Sequence, residues 1–286
     1  MKSKHPIRSL CELLGVSRSG YYRWQQKRPT KRQREDTALA QQIADAHHRS
    51  RKNYGAPRIV EDLRERGTKI SRRRCTRLMK AKGLRGRKKH RSRPCTTDSR
   101  HHHPPAANLL AQRPAPKGPN QAWMTDITYL PTAEGWLYLA AILDVWSRRV
   151  VGWACGPTLH VSLVLAALHK ALQQRRPAEG LLHHSDRGSQ YAGHEYATAL
   201  ASAGIERSMS RAGNCYDNAA MESFWSTLKT ETELDVLTLP NRRAAELAVF
   251  DYIETFYNPT RRHSSLGYLS PVAFEKQHTI NNIKAA

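Results

Sequence analysis

All of the positive charge excess of this chain lies in its first 120 residues. That stretch holds 32 of the 47 Lys and Arg but only 8 of the 24 Asp and Glu, a net +24, whereas residues 121–286 come to −1. Such segregation is the electrostatic footprint of a nucleic-acid-binding part joined to a neutral part. A solubility tail or a ribosomal-type extension is the competing explanation. With 286 residues the chain has room for two or three domains. Mean hydropathy is −0.68, and no apolar run approaches the ~18 residues of a membrane span. The amino terminus leads into no apolar signal region, so a cytoplasmic protein is expected. The five cysteines are far apart and form no CxxC pair, which argues against a zinc ribbon and a disulfide scaffold.

The basic part reads as two helical units. In residues 1–34, Leu10, Leu13 and Leu14 share a helical face, Gly15 breaks it, and Ser17 caps a second helix carrying Arg18, Tyr21, Tyr22, Arg23 and Trp24. Helix, glycine turn, helix is the helix-turn-helix pattern, which makes Arg18 and Tyr21 candidate DNA contacts. Residues 35–93 form the second unit. Leu39, Ile43 and Ala46 keep helical spacing, Pro57 opens another helix, and Ser71 caps a third with Cys75, Leu78 and Met79 inward. Its outer face is Arg72, Arg73, Arg74, Arg77 and Lys80. From Arg66 to Thr97 there are 14 Lys and Arg and no acid. A solvated face normally mixes signs, so this one suggests phosphate contacts. Residues 94–120, rich in proline and carrying His101, His102 and His103, read as a linker.

From Gln121 the pattern changes. Strands are expected at Trp123–Leu130, Trp136–Val145, Arg149–Ala154, Leu181–His184 and Ile205–Met209, and helices at Val161–Leu172, Tyr191–Ala203, Asp217–Glu231 and Arg242–Tyr257. The expected fold class is therefore α/β with a mixed sheet over 121–275, leaving 276–286 as a tail. Three acids stand out. Asp126 lies inside an apolar strand, Asp186 at the carboxyl end of another, and Glu222 on a helix beside Phe224 and Trp225. Converging carboxylates suit Mg²⁺ or Mn²⁺, and two such ions would serve phosphodiester chemistry. Separate caps and salt bridges would equally explain any one of them. Asn218, Glu222, Trp225 and Lys229 are spaced 4, 3 and 4 and share one helix face. Asn218 and Lys229 are thus candidate DNA contacts, with a surface pair between Lys229 and Glu231 or Glu233 as the alternative.

Asp126, Asp186, thirty-five intervening residues and Glu222 resemble the spacing of the retroviral integrase and insertion-sequence transposase (DDE) superfamily. The local words resemble the second-frame (OrfB) transposases of the IS-three family. They are Trp123-Met-Thr-Asp126-Ile-Thr-Tyr129, His184-Ser-Asp186-Arg-Gly-Ser-Gln-Tyr191, Gly213-Asn-Cys-Tyr-Asp-Asn-Ala-Ala-Met-Glu222-Ser-Phe-Trp225, Leu228-Lys229-Thr-Glu231, and the stretch from Tyr257 to Pro271. Upstream, Leu14–Tyr22 and Tyr54–Ile59 are similar to the family's amino-terminal units. The resemblance implies an RNase H-like core with Asp126, Asp186 and Glu222 as the metal-binding catalytic triad. It also implies cutting at a 3′ end of the element, followed by attack of that 3′-hydroxyl on DNA. It further implies a homo-oligomer on duplex DNA, an upstream-frame (OrfA) protein or fusion as partner, and a bacterial, nucleoid-associated location. An RNase H-type nuclease without joining and a non-catalytic DNA-binding regulator are the competing functions.

Overall fold

The computed structural model describes residues 5–26, 29–88, 106–211, 215–234 and 237–285. The run His101–His103, Cys95 and the basic residues 89–93 lie outside the described residues. The chain divides into two compact units, Met1–Gly86 and Arg87–Ala286. Among the described residues no helix is long and apolar enough to cross a membrane.

The first unit is all helical. A hairpin of α1 (Ile7–Leu13) and α2 (Arg18–Gln25) turns at Gly15, whose φ of 63° suits glycine, and the Ser17 hydroxyl accepts from the Gly20 amide at 3.0 Å. The helical face expected for Leu10, Leu13 and Leu14 is not a buried one, since Leu13 and Leu14 are exposed. Two turns of helix can cover only Cys11. Three further helices, α3 (Lys31–Arg49), α4 (Ala56–Glu65) and α5 (Arg72–Ala81), enclose Ile43, Ile59, Leu63, Cys75, Leu78 and Met79. The expected boundary between residues 34 and 35 falls inside α3. Thr30 and Gln33 form a reciprocal capping box that starts this helix earlier.

The second unit is built on five strands: β1 (Ala122–Thr132), β2 (Gly135–Asp144), β3 (Val150–Gly156), β4 (Leu182–Ser185) and β5 (Glu206–Met209). Their order is β3-β2-β1-β4-β5. The first three are antiparallel, and β4 and β5 run parallel to β1. This is the mixed sheet of an RNase H-like core. The helix α6 (Val161–Arg175) lies on one face over Trp123, Ile142, Val151, Tyr191 and Tyr196. Its close approach requires Gly152, where a β-carbon would strike the Ala167 carbonyl and Ala171. At the outer edge, the Asn258 carboxamide accepts from the Val150 amide at 3.0 Å and donates to the Val150 carbonyl at 2.9 Å.

Several expected boundaries move. The helix expected over Tyr191–Ala203 is divided into α7 (Ser189–Ala192) and α8 (His194–Ser202), because Gly193 is extended. α9 spans Ala219–Thr232, and α10 (Arg242–Phe250) continues into a π-helical turn at Asp251–Tyr257. The final helix α11, Pro271–Ala285, runs through the expected tail. Residues 106–120, expected as linker, are tied to the second unit. The Leu109 amide donates to Ser208 Oγ at 3.0 Å, the Asn108 side chain to Asp217 at 2.8 Å, and the Asn120 amide to Asp144 at 2.7 Å.

Candidate active site

The sheet register brings two of the acids together. In the parallel pairing of β1 with β4, Met124 faces His184. Two residues further along each chain, Asp126 comes beside Asp186 just past the end of β4. Both strands are fixed from below. The Thr125 hydroxyl donates to the Ala141 carbonyl at 3.0 Å and lies 3.2 Å from the buried Tyr191 hydroxyl. His184 is held between Ser208 at 2.8 Å and Ser210 at 3.2 Å. Burial pushes its imidazole down to about 4, so it is neutral at physiological pH. Asp186 Oδ1 accepts from the Gly188 amide at 2.9 Å.

Asp126 is half-buried, and its two oxygens meet neutral donors. The Ile127 amide reaches Oδ1 at 2.8 Å and the Trp225 indole reaches Oδ2 at 3.0 Å. The Asn218 side chain also donates to it. Burial first, and repulsion from Asp186 second, push this carboxyl up to about 7, against the pull of those donors.

Glu222 stands exposed on α9. Among the described residues, no group of three His, Cys, Asp or Glu side chains converges closely enough to hold a metal ion. The expected triad is thus a close pair, Asp126 and Asp186, with Glu222 outside it. The side chains that reach Asp126 from α9 and the turn before it are Trp225 and Asn218. Glu222 lies between them on the same helical face. Lys229 also extends toward β1, its Nζ 5.0 Å from the centre of the Tyr129 ring. The alternative partner Glu231 is taken by Arg261, at 2.7 and 2.8 Å, and by the Tyr252 hydroxyl at 2.9 Å.

In the first unit the expected phosphate face is only partly open. Arg74 binds Asp36 at 2.8 Å and Glu35 at 3.3 Å, and Arg77 binds Asp36 at 2.6 Å. Hydrogen bonds from Arg77 and Arg74 hold the Asp36 carboxyl below its usual range. Arg72 and Arg73 point to solvent from the first turn of α5. Arg18 is exposed in the first turn of α2, and Tyr21 packs edge-on against Tyr22.

Residues 116–215 and 203–271 match two models of the integrase core domain, and 33–92 match the HTH-like domain. The chain is 48% identical over 270 residues to the insertion element IS600 31 kDa protein of Shigella sonnei, covering 94% of this chain and 98% of that protein. It is 38% identical over 279 residues to the transposase InsF for insertion sequence IS3A of Escherichia coli, covering 97% and 96%. The chain belongs to the IS3 family of insertion-sequence transposases. Among solved structures, this IS3-family chain is similar to the HTLV-2 integrase catalytic core in complex with magnesium. That match has 17% identity and a TM-score of 0.44, covering 56% of this chain and 98% of that one.

Proposed function

We propose that this chain cuts a phosphodiester next to a 3′ end of its element and joins the freed 3′-hydroxyl to target DNA, with Asp126, Asp186 and Glu222 as its catalytic carboxylates. The observation that carries this reading is the Asp126–Asp186 pair, held half-buried with one carboxyl pushed up to about 7. Hard oxygens crowded in this way fit Mg²⁺ or Mn²⁺, and two ions suit the reaction. A bound divalent ion supplies Lewis-acid stabilisation of charge on the attacking and leaving oxygens. Asp126 and Asp186 would hold such an ion at the sheet's carboxyl end. Glu222, which stands outside that pair, would have to be brought in from α9 to add a third oxygen ligand. Lys229 serves as a point charge for a phosphate flanking the scissile one. The tyrosines do not act as nucleophiles. Burial raises the Tyr191 and Tyr257 hydroxyls well above their ordinary ionisation range.

Arg72 and Arg73 carry phosphate contacts in the HTH-like domain, and Arg18 and Tyr21 face DNA from α2. In this reading the chain works on duplex DNA as a homo-oligomer, with an upstream-frame protein or fusion adding end recognition. The test is a paired assay, cleavage of a donor end and joining of a pre-cut 3′-hydroxyl end, on the parent and on Asp186→Asn and Glu222→Gln. Both substitutions should lower both steps by three or more orders of magnitude, because such residues act as a unit. Near-parental joining by Asp186→Asn would remove the site. Cleavage without joining in the parent would make the protein a nuclease.

A further inference from the structure

We propose that Trp225 is a positioning residue for this site: its indole N–H registers α9, and with it Glu222, on Asp126. The inference rests on the reading that Asp126, Asp186 and Glu222 hold the metal, and it assigns a role to a residue that reading does not use.

Asp126 takes the Ile127 amide on Oδ1 at 2.8 Å and the Trp225 indole on Oδ2 at 3.0 Å, with the Asn218 side chain as a further donor. The first is local and turns with the strand. The second comes from 99 residues away and crosses from helix to sheet. An indole N–H can only donate; it neither titrates nor ligates a cation. At Asp126 it can therefore orient a carboxylate without competing for the ion. A carboxylate has about four acceptor sites, so three N–H donors still leave it a lone pair for a cation.

The indole is well held. Trp225 is 7% exposed, its ring lies 4.8 Å from Phe224, and Phe224 lies 5.0 Å from Tyr257. Six residues along α9, Glu231 is locked to Arg261. That ion pair fixes the far end of the helix, and the indole bond sets its rotation over β1. Glu222, one turn before Trp225, is carried to the same side. Asn218 is the weaker holder of the two. Its Oδ1 is buried without a hydrogen-bond partner among the described residues, so its amide is only half used.

The test uses the full chain and Mg²⁺ as the probe. Calorimetry should show Mg²⁺ binding to the parent, binding at least tenfold weaker to Trp225→Phe, and none to Asp126→Asn. Cleavage by Trp225→Phe should recover toward the parent as Mg²⁺ is raised, a response that a packing defect would not give. A second readout needs no substitution at Trp225. In the parent, one indole N–H resonance should shift downfield through its carboxylate partner, move on Mg²⁺ titration, and lose that shift in Asp126→Asn. Parental Mg²⁺ affinity in Trp225→Phe, or indole resonances indifferent to Asp126→Asn, would overturn the role of Trp225 alone. Retained Mg²⁺ affinity in Asp126→Asn would overturn the underlying metal site.

Discussion

The two units treat their carboxylates in opposite ways. In the helical unit Asp36 faces Arg74 and Arg77, and Asp62 faces Arg49 and Arg66, at or near the surface. These acids are neutralised by the chain itself, and the arginines left over form the basic surface. In the sheet unit, Glu231 and Glu275 are likewise matched by arginines, but in the interior. Asp144, fully buried, is satisfied by the backbone amides of Asn120, Trp146 and Ser147. Asp126, like Asp144, is met by neutral donors and by the negative charge of a neighbour. It differs in place: Asp144 is sealed inside the unit, whereas Asp126 is half-buried where the parallel strands end, beside a second acid. The arginine-matched acids are spent within the fold, and Asp126 is not.

The contrast can be broken most forcefully at Arg261. Both partners of the Arg261–Glu231 pair are under 10% exposed, and removing one leaves a buried charge. Arg261→Ala or Glu231→Ala should therefore cost about 3–5 kcal/mol in urea unfolding. A cost no larger than that of a surface pair would erase the distinction between the units.

A smaller effect, on DNA rather than stability, should separate the arginines of α5. Reversing Arg72 and Arg73 together to Glu should lower duplex affinity for all sequences. It should also reduce the slope of log K against log salt by about 2, near 0.9 per lost phosphate contact. Arg74→Ala should change that slope less, since Arg74 is committed to Asp36 and Glu35. Fluorescence anisotropy across a salt series measures both, and equal slopes for the two variants would dissolve the assignment.

The smallest effect is in pH. Burial alone would raise the Glu275 carboxyl, but hydrogen bonds from Arg175 and Arg149 outweigh it and hold the group below its usual 4.5. Between the folded and unfolded values the unfolded state binds more protons. The stabilisation is therefore present above pH 4.5 and is lost as pH falls through the lowered folded value. Glu275→Gln should flatten the acid limb of a stability–pH curve, and an unchanged limb would assign the acid sensitivity elsewhere.

Much of the sheet unit is legible because its signals are local. Thr, Ile and Tyr alternate around Asp126, Gly135 closes a hairpin, and Asp186 follows a short buried strand. The face shared by Asn218, Glu222, Trp225 and Lys229 follows from spacing alone; Asn218, Trp225 and Lys229 do reach β1, while Glu222 stands exposed. What spacing cannot show is which of these side chains touches Asp126, since the indole bond joins residues 99 apart. The same holds for Arg74 and Arg77, whose partner Asp36 is 38 and 41 residues away. The run of basic residues is real in the sequence, and two of the five on its helical face, Arg74 and Arg77, are spent at home. The π-helical turn at Asp251–Tyr257 carries no composition that separates it from the helix it continues.

Asn258 has a consequence of a different kind. β3 is the border of the sheet, and such a border invites a foreign strand to pair with it. By meeting both the N–H and the C=O of Val150, one carboxamide imitates a residue of a neighbouring strand and occupies that rung. One route by which copies of the chain would pair edge to edge is thereby blocked. In the Tyr257-Asn258-Pro259 word, Tyr257 packs on Phe224 while Asn258 guards the sheet's border against self-association.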